Sequence, residues 1–121
     1  MSDPSAPATA YAQFPITTER EFPEWGIERS VGMVFGVVVY SLGSVAKLTG
    51  GLKAGAGAGE IDQFSRVMDD ARRKSVGRLI QQAQNLGANA VVGFQFGGSD
   101  MGASMSEIVA YGTGVVLGHK K

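Results

Sequence analysis

Cysteine is absent from this 121-residue chain, and histidine and tryptophan each occur once. Without cysteine there is no internal disulfide framework and no thiolate metal site. The sole histidine, His119, stands beside Lys120 and Lys121 at the end of the sequence, so a serine, histidine and acid set has no histidine inside the fold. An excess of one charge is missing as well. Eleven Lys plus Arg cancel eleven Asp plus Glu, which removes the electrostatic footprint of a nucleic-acid binder. Long apolar runs are also lacking, since the most apolar stretch, 31–42, falls short of the roughly 20 residues that a helix needs to cross a bilayer. The N-terminus has neither the basic start nor the apolar centre of a secretory signal, and the expected location is cytoplasmic.

What is present describes one domain. Residues 1–14, rich in Ala, Pro, Ser and Thr, read as a disordered tail; 15–118 form the domain, with a Gly/Ala-rich connection at 41–60, and 119–121 are a second tail. Ile16 to Arg20 suggest a short edge strand, followed by a turn at Phe22-Pro23-Glu24-Trp25-Gly26. The first main strand is expected over Ile27–Ser41, where Val, Phe and Tyr favour extended chain. A helix follows from near Ile61 or Asp62 to Leu86. Its stripe, Ile61, Phe64, Met68, Ala71, Ser75, Leu79, Ala83 and Leu86, repeats every three or four residues. Gly87 is placed to end it in the left-handed conformation. The second strand is expected over Ala90–Phe96, a turn at Gly97–Gly102 and the third strand over Ser106–Leu117.

The order strand, helix, strand, strand defines an α+β domain with a three-stranded sheet. In the first strand Val31, Met33, Phe35, Val37 and Val39 alternate with Gly32, Val34, Gly36, Val38 and Tyr40, so neither face is polar. One helix covers one face; the other needs cover from a second copy, and a homo-oligomer is expected. The helix is assigned to the glycine-bearing face, with the opposite assignment as the alternative. The interface candidates are then Trp25, Met33, Phe35, Phe94, Phe96 and Tyr111.

Candidate sites are sparse. Gly55-x-Gly57-x-Gly59 departs from the dinucleotide pattern because Glu60 and Asp62 follow it. Asp69 and Asp70 are adjacent on a helix and point about a quarter turn apart, with no histidine near. Carboxylate pairs such as Glu19/Glu21 and Glu24/Glu28 read as solvated edge charge, and Arg72-Arg73-Lys74 with Arg78 as the wet helix face. Gln95, Asp100 and Glu107 are the candidates for a cleft beside the hairpin turn. Val45, Leu48 and Leu52 with Lys47 and Lys53 could rest on a membrane surface. No catalytic residue, metal ligand or cofactor is expected.

Leu86-Gly87-Ala88-Asn89-Ala90-Val91-Val92-Gly93, with Tyr111-Gly112-Thr113-Gly114-Val115-Val116-Leu117 downstream and Gly32-Met33-Val34-Phe35-Gly36 upstream, resembles the YbjQ-like family of uncharacterised proteins catalogued as heavy-metal-binding domains. The resemblance runs from about Thr17 to Leu117. It implies a dodecin-subunit-like fold, antiparallel strand order 1-3-2 and a homopentameric ring. It carries over no metal ligand or catalytic residue. The functional expectation is a non-enzymatic, self-assembling scaffold or binding module for a protein partner or small ligand. The alternatives are a metal or small-ligand site at a ring axis or subunit interface, and a peripheral membrane assembly.

Overall fold

Valine-rich and glycine-rich segments alternate in this chain, and the fold follows from where each lets the backbone approach. The computed structural model describes residues 14–41, 58–102 and 105–120. Its elements are β1 (Trp25–Ser41), α1 (Ala58–Asn85), β2 (Ala90–Gly102) and β3 (Met105–His119). The three strands form one antiparallel sheet in the order β1-β3-β2. The central strand β3 pairs with β1 from Trp25↔His119 to Ser41↔Met105 and with β2 from Ala90↔Val115 to Gly102↔Met105.

All three strands and the helix appear where the sequence places them, the strands longer and the helix starting three residues earlier and ending at Asn85. Gly97–Gly102, expected as a turn, instead continues β2, because polar cross-strand pairs hold the hairpin there. Ser99 donates to the Glu107 carboxylate at 3.1 Å and Ser106 to that of Asp100 at 2.9 Å. His119, assigned to a tail, is the last residue of β3, its ring 5.6 Å from that of Trp25.

Helix and sheet meet on the glycine-bearing face, as assigned from the sequence. Val34 and Val38 of β1, Ile108 and Ala110 of β3 and Val91 of β2 are buried with Ala71, Val76, Leu79 and Ala83 of α1. Full burial of Leu79 contributes about 2–3 kcal/mol. The close approach is made at Gly36, where a Cβ would overlap the Ser75 carbonyl oxygen and the Leu79 amide nitrogen. Ser75 is itself buried, and its hydroxyl donates back to the Arg72 carbonyl at 2.7 Å. Because α1 seats on β1 and β3, its side chains also reach the outer edge of β1. Gln82 Oε1 accepts from the Phe35 amide at 2.6 Å, and the Arg78 guanidinium donates to the Val37 carbonyl. An edge capped in this way is a poor template for further strand pairing.

The helix ends as its glycine requires. Gly87 has φ +87°, its amide donates to the Gln84 carbonyl at 3.0 Å, and the Ala88 amide donates to that of Ala83 at 2.9 Å. This paired pattern is the Schellman ending, with Ala83 and Ala88 both buried across it. Leu86, counted in the buried stripe, lies beyond the last turn and is exposed. Asn89 then enters the sheet. Its amide donates to Val115, while its side chain accepts from the Leu117 amide at 2.7 Å and donates to the Leu117 carbonyl at 3.3 Å. A side chain here does the work of a further backbone pair.

The segment before β1 has a role the sequence shows only in part. Residues 15–19 run along the outer edge of β2, with one parallel bridge, Ile16↔Val91, and amides of Thr17, Val91, Gly93 and Phe94 bonded across. Phe14, grouped with the tail, is 6% exposed and packs in the main core. Residues 1–13, with most of the expected tail, lie outside the described residues, as do 42–57 of the glycine-rich connection.

Two glycines of opposite environment test the seating of the helix. Gly36→Ala is expected to lose roughly 2–4 kcal/mol of unfolding free energy, since backbone must move. Gly77→Ala, in mid-helix with nothing near the added methyl, is expected to gain about 0.5–1 kcal/mol. Urea denaturation measures both.

Candidate functional site

A sheet that carries one helix presents its other broad side, and the register decides which residues stand there. Paired residues share a face, so Met33↔Thr113, Phe35↔Tyr111, Val37↔Val109 and Val39↔Glu107 all lie opposite α1. Met33 is 67% exposed and Phe35 44%, with Val39 and Ile27 exposed as well. Tyr111 is half-buried, and its hydroxyl donates to Gln95 Oε1 at 3.3 Å. One end of this side is covered. Phe22 and Leu117 pack there on buried Ala90, Val92 and Val115. The segment 14–22 therefore wraps β2, giving Phe14 to the helix side and Phe22 to the other.

Two of the expected interface residues are not on the open side. Strict alternation puts Phe94 and Phe96 with Val92, but the β2–β3 register shifts between Val92 and Gln95. Gly93 supplies the extra residue, with φ +64°, a conformation strained for residues with a Cβ. After this bulge the faces exchange. Gln95 pairs with Tyr111 on the open side, whereas Phe96 pairs with Ala110 on the helix side. Phe94 packs against the main core, and its ring meets that of Phe96 edge-on at 4.9 Å. The glycine between Val92 and Phe94 was the one available signal of the flip. Trp25, at the start of β1, is half-buried against His119.

The flip creates a second surface. Because α1 lies over β1 and β3, the helix side of β2 beyond Phe94 is left uncovered, and Phe96 is 43% exposed there. A cleft of about 560 Å³ opens at this place. Phe96 and Ile108 line the sheet side, Met68 and Arg72 line the helix side, and Tyr40 and Asp100 border it. Of the three residues expected at a hairpin cleft, Asp100 and Glu107 border this one, and Gln95 does not. Gly98 pairs with Ile108 on this side and adds no side chain to the floor, and a Cβ there would come within 2.8 Å of the Glu107 carbonyl oxygen; a Cβ at Gly97 would instead meet Val109 and Tyr111 on the open side.

The other charged groups resolve into local structure. Asp69 pairs with Arg73 at 2.8 Å and Asp70 with Lys74 at 3.2 Å, each acid four residues before its base. Glu28 lies over Gly118, whose missing Cβ makes room for the carboxylate. Among the described residues no group of three His, Cys, Asp or Glu is placed to hold a metal ion. Nor is any described helix long and apolar enough to cross a membrane. The proposed membrane-facing residues Val45, Lys47, Leu48, Leu52 and Lys53, and Gly55 and Gly57, lie outside the described residues.

The bulge that sets these surfaces is open to test. A methyl at Gly93 meets no atom within 4 Å, so the cost of Gly93→Ala comes from backbone strain, about 1–2 kcal/mol. Gly93→Asn is expected to cost less, because asparagine tolerates the left-handed region. Chemical denaturation of the two variants side by side checks the order.

The chain is similar to known proteins over most of its length. A UPF0145 protein of Thermoplasma volcanium is 40% identical over 102 residues, covering 84% of this chain and 83% of its own. Another, from Bradyrhizobium sp. (strain ORS 278), is 42% identical over 102 residues, covering 84% and 91%. A solved structure of a DUF74-family protein of unknown function from Pediococcus pentosaceus is 16% identical with a TM-score of 0.49, over 87% of this chain and 98% of that one. The model of the YbjQ family described as "Putative heavy-metal-binding" matches residues 14–118, nearly all of the folded chain, and the protein belongs to that family.

Proposed function

We propose that this protein is a non-enzymatic module that works as a homo-oligomer, with the open side of its sheet packed against further copies of itself. The observation that carries this reading is the apolar surface of Met33, Phe35 and Val39 opposite α1, exposed in the single protomer. Such a surface costs free energy in water at about 25 cal/mol per Å² and marks an interaction site when its members are contiguous. Adjacent strand pairs make these residues contiguous. The segment 14–22 covers only the Val92 and Val115 end of the same side, so the need for cover persists at the other end.

Pairing through the outer edge of β1 is disfavoured by the Gln82 and Arg78 contacts, which leaves face packing as the route to assembly. A ring of five, implied by the family resemblance, would bring five such faces together. In that arrangement the module acts as a scaffold, and its function lies in what the assembled surface binds. The absence of catalysis is proposed on the side-chain inventory: no cysteine occurs, and the sole histidine is exposed at the end of β3.

Size-exclusion chromatography with light scattering tests the proposal. The wild-type chain is expected to run as a multimer at micromolar concentration, and the double variant Met33→Lys/Phe35→Lys as a folded monomer with unchanged far-UV circular dichroism. A monomeric wild type, or a multimer untouched by the two lysines, removes the reading.

A further inference from the structure

We propose that the cleft between α1 and the β2–β3 hairpin binds a small zwitterion with an apolar body, of the class of an apolar α-amino acid. Of the three charged residues that border this cleft, Glu107 pairs with Val39 on the other side of the sheet and its carboxylate accepts from Ser99, which leaves Arg72 and Asp100, two charges that do not meet. Arg72, on the helix side, forms no ion pair with a described residue, although its neighbours Arg73 and Lys74 are held by Asp69 and Asp70, and Arg78 by the Val37 carbonyl. Asp100, on the hairpin, accepts one hydrogen bond from Ser106, which fixes the carboxylate and leaves its other oxygen without a donor among the described residues. Opposite charges on different walls of the same cavity favour a ligand that carries both signs.

Three apolar side chains lie with them in the cleft. Phe96 and Ile108 line the sheet side and Met68 the helix side, and the Phe96 ring is steadied edge-on by Phe94. A cavity of about 560 Å³ falls within the range of small-molecule sites, roughly 300–1,000 Å³. Ser99 and Ser106 stand beside these apolar side chains, so the lining is mixed, and in such sites the polar groups fix the ligand's orientation. A ligand with only an anionic group would meet Arg72 but face Asp100 unfavourably, and one with only an ammonium group the reverse. A carboxylate directed at Arg72, an ammonium directed at Asp100 and a side chain resting on Phe96 satisfy all three. The proposal stands on these residues of one protomer and does not rest on self-association.

The test is a titration of the full-length 15N-labelled protein with L-phenylalanine, 3-phenylpropionate and 2-phenylethylamine, followed by the amide shifts of Phe96–Asp100 and Ser106–Ile108. L-Phenylalanine is expected to shift these amides and to bind at least about tenfold more tightly than either analogue, a difference of about 1.4 kcal/mol. Arg72→Gln is expected to weaken L-phenylalanine about tenfold and leave 2-phenylethylamine unchanged; Asp100→Asn is expected to weaken L-phenylalanine likewise and leave 3-phenylpropionate unchanged. Arg73→Gln, on the same helix but outside the cleft, is expected to have no effect. The wild-type amide spectrum of each variant away from the site establishes that it folds. Unmoved cleft amides with L-phenylalanine, as when a neighbouring copy fills the cleft, overturn the proposal. Equal binding of all three compounds, or equal losses from Arg72→Gln and Arg73→Gln, also overturns it.

Discussion

The backbone contact of α1 with β1 at Gly36 governs the rest of the structure. With no side chain at that position, the Ser75 and Leu79 turns of the helix lie directly on the strand. The helix packs mainly on β1, less on β3, and meets β2 at Val91 in the shared core, an offset that the missing Cβ at Gly36 permits. The consequences divide. On the β1 side the helix overhangs far enough for Gln82 and Arg78 to close the strand edge. On the β2 side it leaves a gap, which Phe14 fills at one end and the cleft occupies at the other.

The second device is the bulge at Gly93. One extra residue exchanges the faces of β2 midway, so that Val92 supports the cluster beneath Phe22 while Phe94 and Phe96 turn to the helix side. Together the two devices give this small domain two distinct apolar surfaces. One is broad and lies behind the sheet, suited to another copy; the other is recessed, bordered by charge and suited to a small molecule.

Much of this was legible in the residues. The three-to-four spacing of Ala71, Ser75, Leu79 and Ala83 located the buried helix face, and Gly87 located its end. The alternation of Val34, Gly36 and Val38 marked the face that the helix approaches, but Val31, expected on the opposite face, packs against the main core because the β1–β3 register slips between Ser30 and Gly32. Phe94 and Phe96 were misplaced because alternation presumes an unbroken register, and a bulge leaves only a glycine in the sequence as its trace. Phe14 was hidden by composition: one aromatic after a Pro- and Ala-rich run looks like tail until a sheet edge is there to receive it. Arg72 and Asp100 were each visible as solvated charge, but their shared cleft depends on the helix offset and on the continuation of β2 beyond Gly97, neither of which a local pattern encodes.

The proposed self-association requires that the side of the sheet turned away from α1 be shielded from water in the assembled protein. Methionine oxidation footprinting of Met33 reads this directly, because the thioether reacts with peroxide according to its access to solvent. The account predicts that Met33, 67% exposed in one protomer, is protected at micromolar concentration and becomes reactive on dilution or on addition of mild denaturant. Oxidation of Met33 in the native protein as fast as in a short unfolded peptide, at every concentration, would contradict it.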